Sequence, residues 1–249
     1  MIRANLKCTI LLWSIEYLSL GETNLQVCFI NYQKIDGEGF SIDGDSNHVV
    51  QAFYIKSNKE VEFLPENIDG SFPGLFLYEI WNCSIKTVNV KHFKGLKRLE
   101  ALALAFNEIK SIDGDSFKDL TNLLSLKLNS NKIKKIDPKW FQSLGGLVEF
   151  NIGYNQIELL DEQIFDNLRA LQFISLHYNE LSTIPANLFK NNLKLEKIFL
   201  HENKIQTISF SMFDHLYNLV LVDLVNNVCV DGFYSLESNE KPFMKPNCK

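Results

Sequence analysis

The chain has 249 residues, 46% apolar and 22% charged, values of an ordinary globular protein that exclude disorder throughout. Its formal net charge is −5, from 25 basic and 30 acidic side chains, which excludes a broadly basic nucleic-acid surface. With 19 phenylalanines against 12 glycines, 6 prolines and 5 cysteines, it is neither collagen-like, nor a proline-rich linker, nor a cysteine-dense mini-scaffold.

Residues 1–21 read as a secretory signal: Arg3 and Lys7 make a positive start, an apolar stretch runs from Thr9 to Leu20, and Ser19 and Gly21 are small residues ahead of a cut before Glu22. Glu16 interrupts the apolar run, and the competing reading is an uncleaved, partly buried first strand. The run is too short for a membrane span, which needs about 20 apolar residues, and nothing else in the chain could span. Cys8 leaves with the signal, so Cys28, Cys83, Cys229 and Cys248 remain. An even count in a secreted chain permits disulfides without assigning them. Cys229 and Cys248 close a short C-terminal loop and form the favoured bridge. Cys28 could pair with Cys83, although Cys83 has a second role in the repeat described next.

From residue 75 onward the chain repeats itself. Leu99 to Ile109 (LEALALAFNEI) returns as Leu123 to Ile133 (LLSLKLNSNKI), then from Leu147, Leu171 and Leu195. Degenerate copies start at Leu75, with Cys83 in place of asparagine, and at Leu219, with Cys229 in place of the last aliphatic residue. These starts are spaced by 24 residues each time. A weaker copy, Val50, Phe53, Ile55 and Asn58, precedes them with one extra residue. Alternating apolar residues such as Leu126 and Leu128 turn one face of a short strand inward. A fixed period lays each strand beside the next at about 4.8 Å in a parallel sheet. Asn58, Asn107, Asn131, Asn155, Asn179, Asn203 and Asn227, with Cys83, then form a buried ladder whose amides hydrogen-bond the bends of neighbouring turns. Phe93, Phe117, Phe141, Phe165, Phe189 and Phe213 recur at the same period and account for the phenylalanine excess. They are predicted core.

The template L-x-x-L-x-L-x-x-N/C-x-L resembles the leucine-rich repeat. The second halves of the repeats, such as Ile112, Phe117 and Leu120, resemble the extracellular type found in secreted arthropod proteins and Toll-type receptor ectodomains. The resemblance implies an α/β fold: a right-handed, horseshoe-shaped solenoid with a parallel β-sheet on the concave face, loops and short helical turns on the convex face, and capped ends. The expected organisation is a signal at 1–21, an N-terminal cap at 22–49, about eight repeats over 50–227, and a C-terminal cap at 228–249. Both caps carry fewer cysteines than the fuller caps of this family.

Enzyme signatures are missing: there is no G-x-S-x-G, G-x-G-x-x-G, P-loop or H-E-x-x-H. His177 and His201 hold the same position in adjacent repeats, with Glu202 and Asp223 nearby. A metal site there is outweighed by two surface histidines with no orienting shell. Asp36-Gly37-Glu38 and Asp43-Gly44-Asp45-Ser46-Asn47 lack calcium-hand spacing and read as turns. No metal and no cofactor are expected. The sequon Asn82-Cys83-Ser84 is expected to stay unused, since cysteine in its middle position makes a poor acceptor.

The third, fifth, seventh and eighth positions of each repeat flank the inward leucines and are predicted to face solvent or a ligand. They include Leu77, Trp81, Ala101, Ala103, Ala105, Phe106, Tyr154, Phe173, His177, Tyr178, Phe199 and His201. Exposed rings beside charged residues are the stuff of binding hot spots. The expected function is that of a secreted, non-enzymatic module recognising a protein through Trp81, Phe106, Tyr154, Phe173, His177, Tyr178, Phe199 and His201. Innate immunity or cell adhesion is the expected setting, with neither nucleic acid nor stable membrane insertion. The alternative is a structural matrix protein acting through its convex side or by self-association, and the oligomeric state is left open.

Overall fold

The computed structural model describes residues 9–16, 22–30, 51–234 and 243–244. The strands, in chain order, begin with β1 (Thr9–Glu16), β2 (Glu22–Ile30), β3 (Ala52–Lys56), β4 (Leu77–Trp81) and β5 (Thr87–Val88). Next come β6 (Ala101–Ala103), β7 (Ser111–Ile112), β8 (Ser125–Lys127), β9 (Glu149–Asn151), β10 (Phe173–Ser175), β11 (Lys197–Phe199) and β12 (Leu221–Asp223). The last are β13 (Val230–Asp231), β14 (Phe233–Tyr234) and β15 (Phe243–Met244). One sheet carries the order β1-β2-β3-β4-β6-β8-β9-β10-β11-β12-β14, parallel from β2 to β12. It is closed by antiparallel pairs at both ends. The molecule is a parallel-strand solenoid.

Register follows the period. Leu102, Leu126, Phe150, Ile174, Ile198 and Val222 pair in series across successive strands, and all six are fully buried. Each strand of the regular repeats is three residues long because the chain must turn at the ladder asparagine. There the amide takes over the work of the sheet. Asn131 donates from Nδ2 to Leu104 O in the preceding repeat at 2.9 Å and to Leu128 O in its own at 3.0 Å. Its Oδ1 accepts from Ile109 N at 3.0 Å. The same set of bonds ties Asn107, Asn155, Asn179, Asn203 and Asn227 to the turn before each. Asn58, at the start of the row, accepts from Glu60 N. At Cys83 a thiol replaces the amide and points at Trp81 O, 3.6 Å away. That thiol is free and buried, which overturns a Cys28–Cys83 bridge. Burial also pushes its ionisation up.

The other side of the core is a file of rings. Phe93 packs on Phe117 at 5.9 Å, Phe141 on Phe165 at 5.7 Å, and Phe165 on Phe189 at 6.1 Å. Trp140 bridges the step between Phe117 and Phe141 and donates from Nε1 to Ile112 O. The one-turn helices are small: Ile68–Ser71, and 3-10 turns at Pro138–Phe141 and Phe210–Phe213. Asp137 starts the second of these by accepting from Lys139 N. Asn192 stands where other repeats place Leu120, Leu144, Leu168 and Leu216. It is fully buried and donates to Phe165 O and Leu168 O.

Two strands lie in segments that the sequence reading set outside the repeats. Strand β2, inside the segment read as an N-terminal cap, continues the parallel ladder, with Cys28 level with Phe53 and Tyr78. The 25-residue step at this end hides the repeat from a search at a period of 24. Thr9–Glu16, inside the segment read as a signal, forms β1 in the full-length chain, antiparallel to β2. A chain cut before Glu22 would lack β1 and present β2 as the sheet edge. Residues 36–47 and Cys248 lie outside the described residues, and with them the Asp-Gly clusters and one half of the Cys229–Cys248 bridge.

Candidate functional site

The residue just before each ladder position adopts a left-handed backbone: Ser57, Asn82, Phe106, Ser130, Tyr154, Tyr178, Glu202 and Asn226 all have φ between 50° and 59°. The strand has to bend there so that the next side chain can turn inward. Asparagine tolerates this conformation, whereas a bulky residue pays roughly 1–2 kcal/mol. Phe106, Tyr154 and Tyr178 hold large rings in this costly position, and the same bend lifts the rings outward. They are 45%, 48% and 39% exposed.

The rings sort into two groups. Trp81, half-buried, meets Phe106 edge-on at 5.2 Å. Further along, Tyr154 and Tyr178 stack face to face at 4.2 Å and 8°. His177 stacks on His201 at 4.7 Å, and each imidazole also meets Tyr178 edge-on. Phe173 and Phe199 lie 5.1 Å apart, and Phe199 reaches His201. Tyr154, Phe173, His177, Tyr178, Phe199 and His201 are therefore one continuous surface. Trp81 and Phe106 belong to another, separated from it by the small or short side chains of Ala105, Asn129, Ser130 and Gly153.

Gly153, which no sequence pattern marks, makes room for the histidine pair. A Cβ at Gly153 would run into the His177 ring. Seated over this backbone, His177 shares a hydrogen bond with Ser175 Oγ. Desolvation and the neighbouring His201 bring its pKa down to about 4, so it is neutral near pH 7. His201 Nδ1 lies 2.9 Å from Asp223 Oδ2. Asp223 Oδ1 accepts from Val225 N, and Glu202 Oε1 accepts from Asn226 Nδ2 at 2.7 Å. The charge on Glu202 is the foremost cause that raises the Tyr178 phenol above its usual range. A polar strip runs alongside: Lys127 pairs with Glu149 at 3.2 Å, and Ser125 Oγ donates to Glu149. Lys127, Glu149, Phe173 and Lys197 line a shallow depression of about 400 Å³.

The N-terminal part of the sheet face departs from expectation. Leu77, Ala101, Ala103 and Ala105, read as solvent-facing, are buried, and Leu77 and Ala101 form a second apolar cluster with Ala52 and Tyr54. Strand neighbours at about 4.8 Å shade a methyl group that would be exposed on an isolated strand. Asn82, the sequon residue, donates from Nδ2 to Ser57 Oγ at 3.2 Å. Among the described residues no group of three or more His, Cys, Asp or Glu is arranged to hold a metal ion, and no helix is long and apolar enough to cross a membrane.

A solenoid of short parallel strands with an asparagine ladder on one side and a phenylalanine file on the other is the architecture of a leucine-rich repeat protein. The leucine-rich repeat family model matches residues 79–133, 121–181 and 174–228, more than half of the chain, and the chain belongs to that family. No curated protein matches it in sequence. Among solved structures it is similar to the receptor in a TLR13–ssRNA13 complex, with a TM-score of 0.66 and 24% identity over 72% of this chain and 25% of that one. A leucine-rich repeat protein of Leptospira interrogans gives 0.61 and 22% identity over 76% and 47%. A Toll–Spatzle complex of Drosophila gives 0.60 and 21% over 72% and 27%. The likeness is one of fold, and this chain spans less than half the length of each of these relatives.

Proposed function

We propose that the protein is an extracellular, non-enzymatic binding module that recognises a protein partner on the concave face of its sheet, with innate immunity or cell adhesion as the setting. The observation that carries this reading is the continuous, half-exposed surface of Tyr154, Phe173, His177, Tyr178, Phe199 and His201, held partly by backbone strain that the fold itself does not need. Ser130 and Asn226 make the same bend with polar side chains, so the turn is not the reason for rings at 154 and 178. Backbone strain that stability does not explain is a pointer to function.

Secretion rests on the positively charged, apolar first 21 residues and on the extracellular type of repeat. A Cys229–Cys248 bridge closing the C-terminal cap belongs to the same proposal. Of the relatives in fold, one is complexed with single-stranded RNA and another with Spatzle. The net charge of −5 favours a protein ligand here.

Affinity capture from extracellular fluid tests the proposal. The secreted protein and its Phe173→Ser/Tyr178→Ser/Phe199→Ser variant serve as paired baits. A partner held by the former and lost by the folded variant is the expected result. Equal retention would move the site to the convex side or to self-association.

A further inference from the structure

The binding surface has a chemical bias at one end. Tyr154 and Tyr178 present an exposed, stacked pair of rings, and Glu202 follows them in the same column of left-handed residues. Asp223 lies one strand further on, beneath His201. Among the described residues, neither Glu202 nor Asp223 forms an ion pair with a lysine or arginine. The nearby Lys204 is held by Glu180 at 2.8 Å. Lys197 stands at the start of β11, at the other edge of the face. His177 is neutral near pH 7. The aromatic end of the face is thus negative, and its rings offer electron-rich surfaces.

We infer that the Tyr154–Tyr178–Glu202 edge accepts a guanidinium, an arginine side chain of the protein partner laid on the tyrosine pair and hydrogen-bonded to the Glu202 carboxylate. Three requirements meet here. A tyrosine face attracts a cation. A carboxylate with no lysine or arginine partner accepts charge-assisted N–H bonds from a guanidinium, beside the bond it already takes from Asn226. Arginine sheds water more readily than lysine, whose compact ammonium is strongly hydrated. An acidic segment would be repelled by Glu202 and Asp223, and an aliphatic one would cover the Glu202 carboxylate without supplying a counter-charge. The assignment rests on the sheet-face reading above and specifies the chemistry of the partner.

The test uses blocked hexapeptides of arginine, lysine and citrulline, titrated into the full-length protein at low ionic strength by calorimetry. The expected order is arginine tightest, lysine several-fold weaker and citrulline at least tenfold weaker than arginine. Glu202→Lys and, separately, Tyr154→Ser/Tyr178→Ser should each weaken the arginine peptide at least tenfold with the thermal transition retained. Asp115→Lys changes the net charge by the same amount at an exposed acid elsewhere and should cost less than twofold. Glu202→Gln guards against misfolding of the charge reversal and should cost several-fold. Equal losses from Asp115→Lys and Glu202→Lys would show attraction to the overall negative charge and overturn the assignment. So would equal binding of arginine and citrulline, or indifference to the tyrosine pair. If the peptides fail in this way while the Phe173/Tyr178/Phe199 variant still loses its captured partner, the guanidinium assignment falls and the sheet-face reading stands. If that variant keeps its partner, the sheet-face reading falls instead.

Discussion

The two ends of the sheet face are built on the same repeat and have opposite characters. Near β3, β4 and β6 the outward positions carry Ala52, Tyr54, Leu77 and Ala101, and all four are buried. From β9 to β12 the equivalent positions carry Glu149, Phe173, Lys197, Phe199 and Asp223, none of which is buried, with Ser175 the buried exception. The inward positions hardly notice the change: Tyr78, Leu102, Phe150, Ile174 and Ile198 are fully buried throughout. The contrast teaches that the repeat specifies the core and leaves the outward columns free to vary. One end has used that freedom for packing, and the other presents rings and charges to solvent.

The largest expected effect comes from breaking what the two ends share. Phe165 sits in the ring file, in contact with Phe141, Phe150 and Phe189. Phe165→Ala should cost about 3–5 kcal/mol of unfolding free energy, measured by urea denaturation. Because each turn leans on its neighbours, hydrogen exchange should speed up at both ends of the sheet. A loss confined to the repeats around 165 would show that the ends are energetically independent.

Acid provides the second test. His92, which packs by its ring against Phe93 and accepts from Asn89 N, has its pKa lowered to about 4 by burial and by Lys91. Its unfolded value is near 6.5, so below pH 6.5 the unfolded chain takes up a proton that the folded chain refuses. Stability is therefore full above pH 6.5 and drains away as pH falls toward 4, by about 3 kcal/mol for this group. His177, at the other end of the fold, shifts in the same direction and adds to the loss. Urea midpoints at pH 7 and pH 4.5 measure the sum, and imidazole proton shifts in NMR separate the two histidines. A His177 that titrates near 6.5 would mean that the histidine pair is looser than its stacking indicates.

Gly153→Ala separates the ends more sharply. The added Cβ displaces the His177 ring and disturbs the Tyr154–Tyr178 pair without entering the core. A cost of about 1–2 kcal/mol should accompany at least a tenfold loss of partner affinity in a titration with the captured partner. The smallest effect belongs to the buried end. Tyr78 is fully buried, and its hydroxyl has no hydrogen-bond partner among the described residues. Tyr78→Phe should raise stability by about 1 kcal/mol in thermal denaturation and leave binding unchanged.

The period of 24 residues, the leucines at positions one, four, six and eleven, and the phenylalanine in the second half are properties of the chain read in one dimension. They determine the parallel register, the inward columns and the family, because a fixed period leaves each strand no other neighbour to pair with. The asparagine at position nine belongs with them, since a buried amide at a bend has few alternatives to bonding the adjacent turn. What surrounds a side chain in three dimensions was decided elsewhere. Whether Ala101 is shaded depends on Leu77 and Ser125, its neighbours in the sheet though 24 residues away in the chain. Whether His177 has room for its ring depends on the missing Cβ of Gly153, one turn earlier. Trp140 joins the ring file by filling the step between Phe117 and Phe141, a gap that no sequence pattern displays. The left-handed bend that lifts Tyr154 and Tyr178 out of the sheet is likewise a property of the closed turn. A repeat tells each residue which way to point, and the packing of successive turns decides what it meets there.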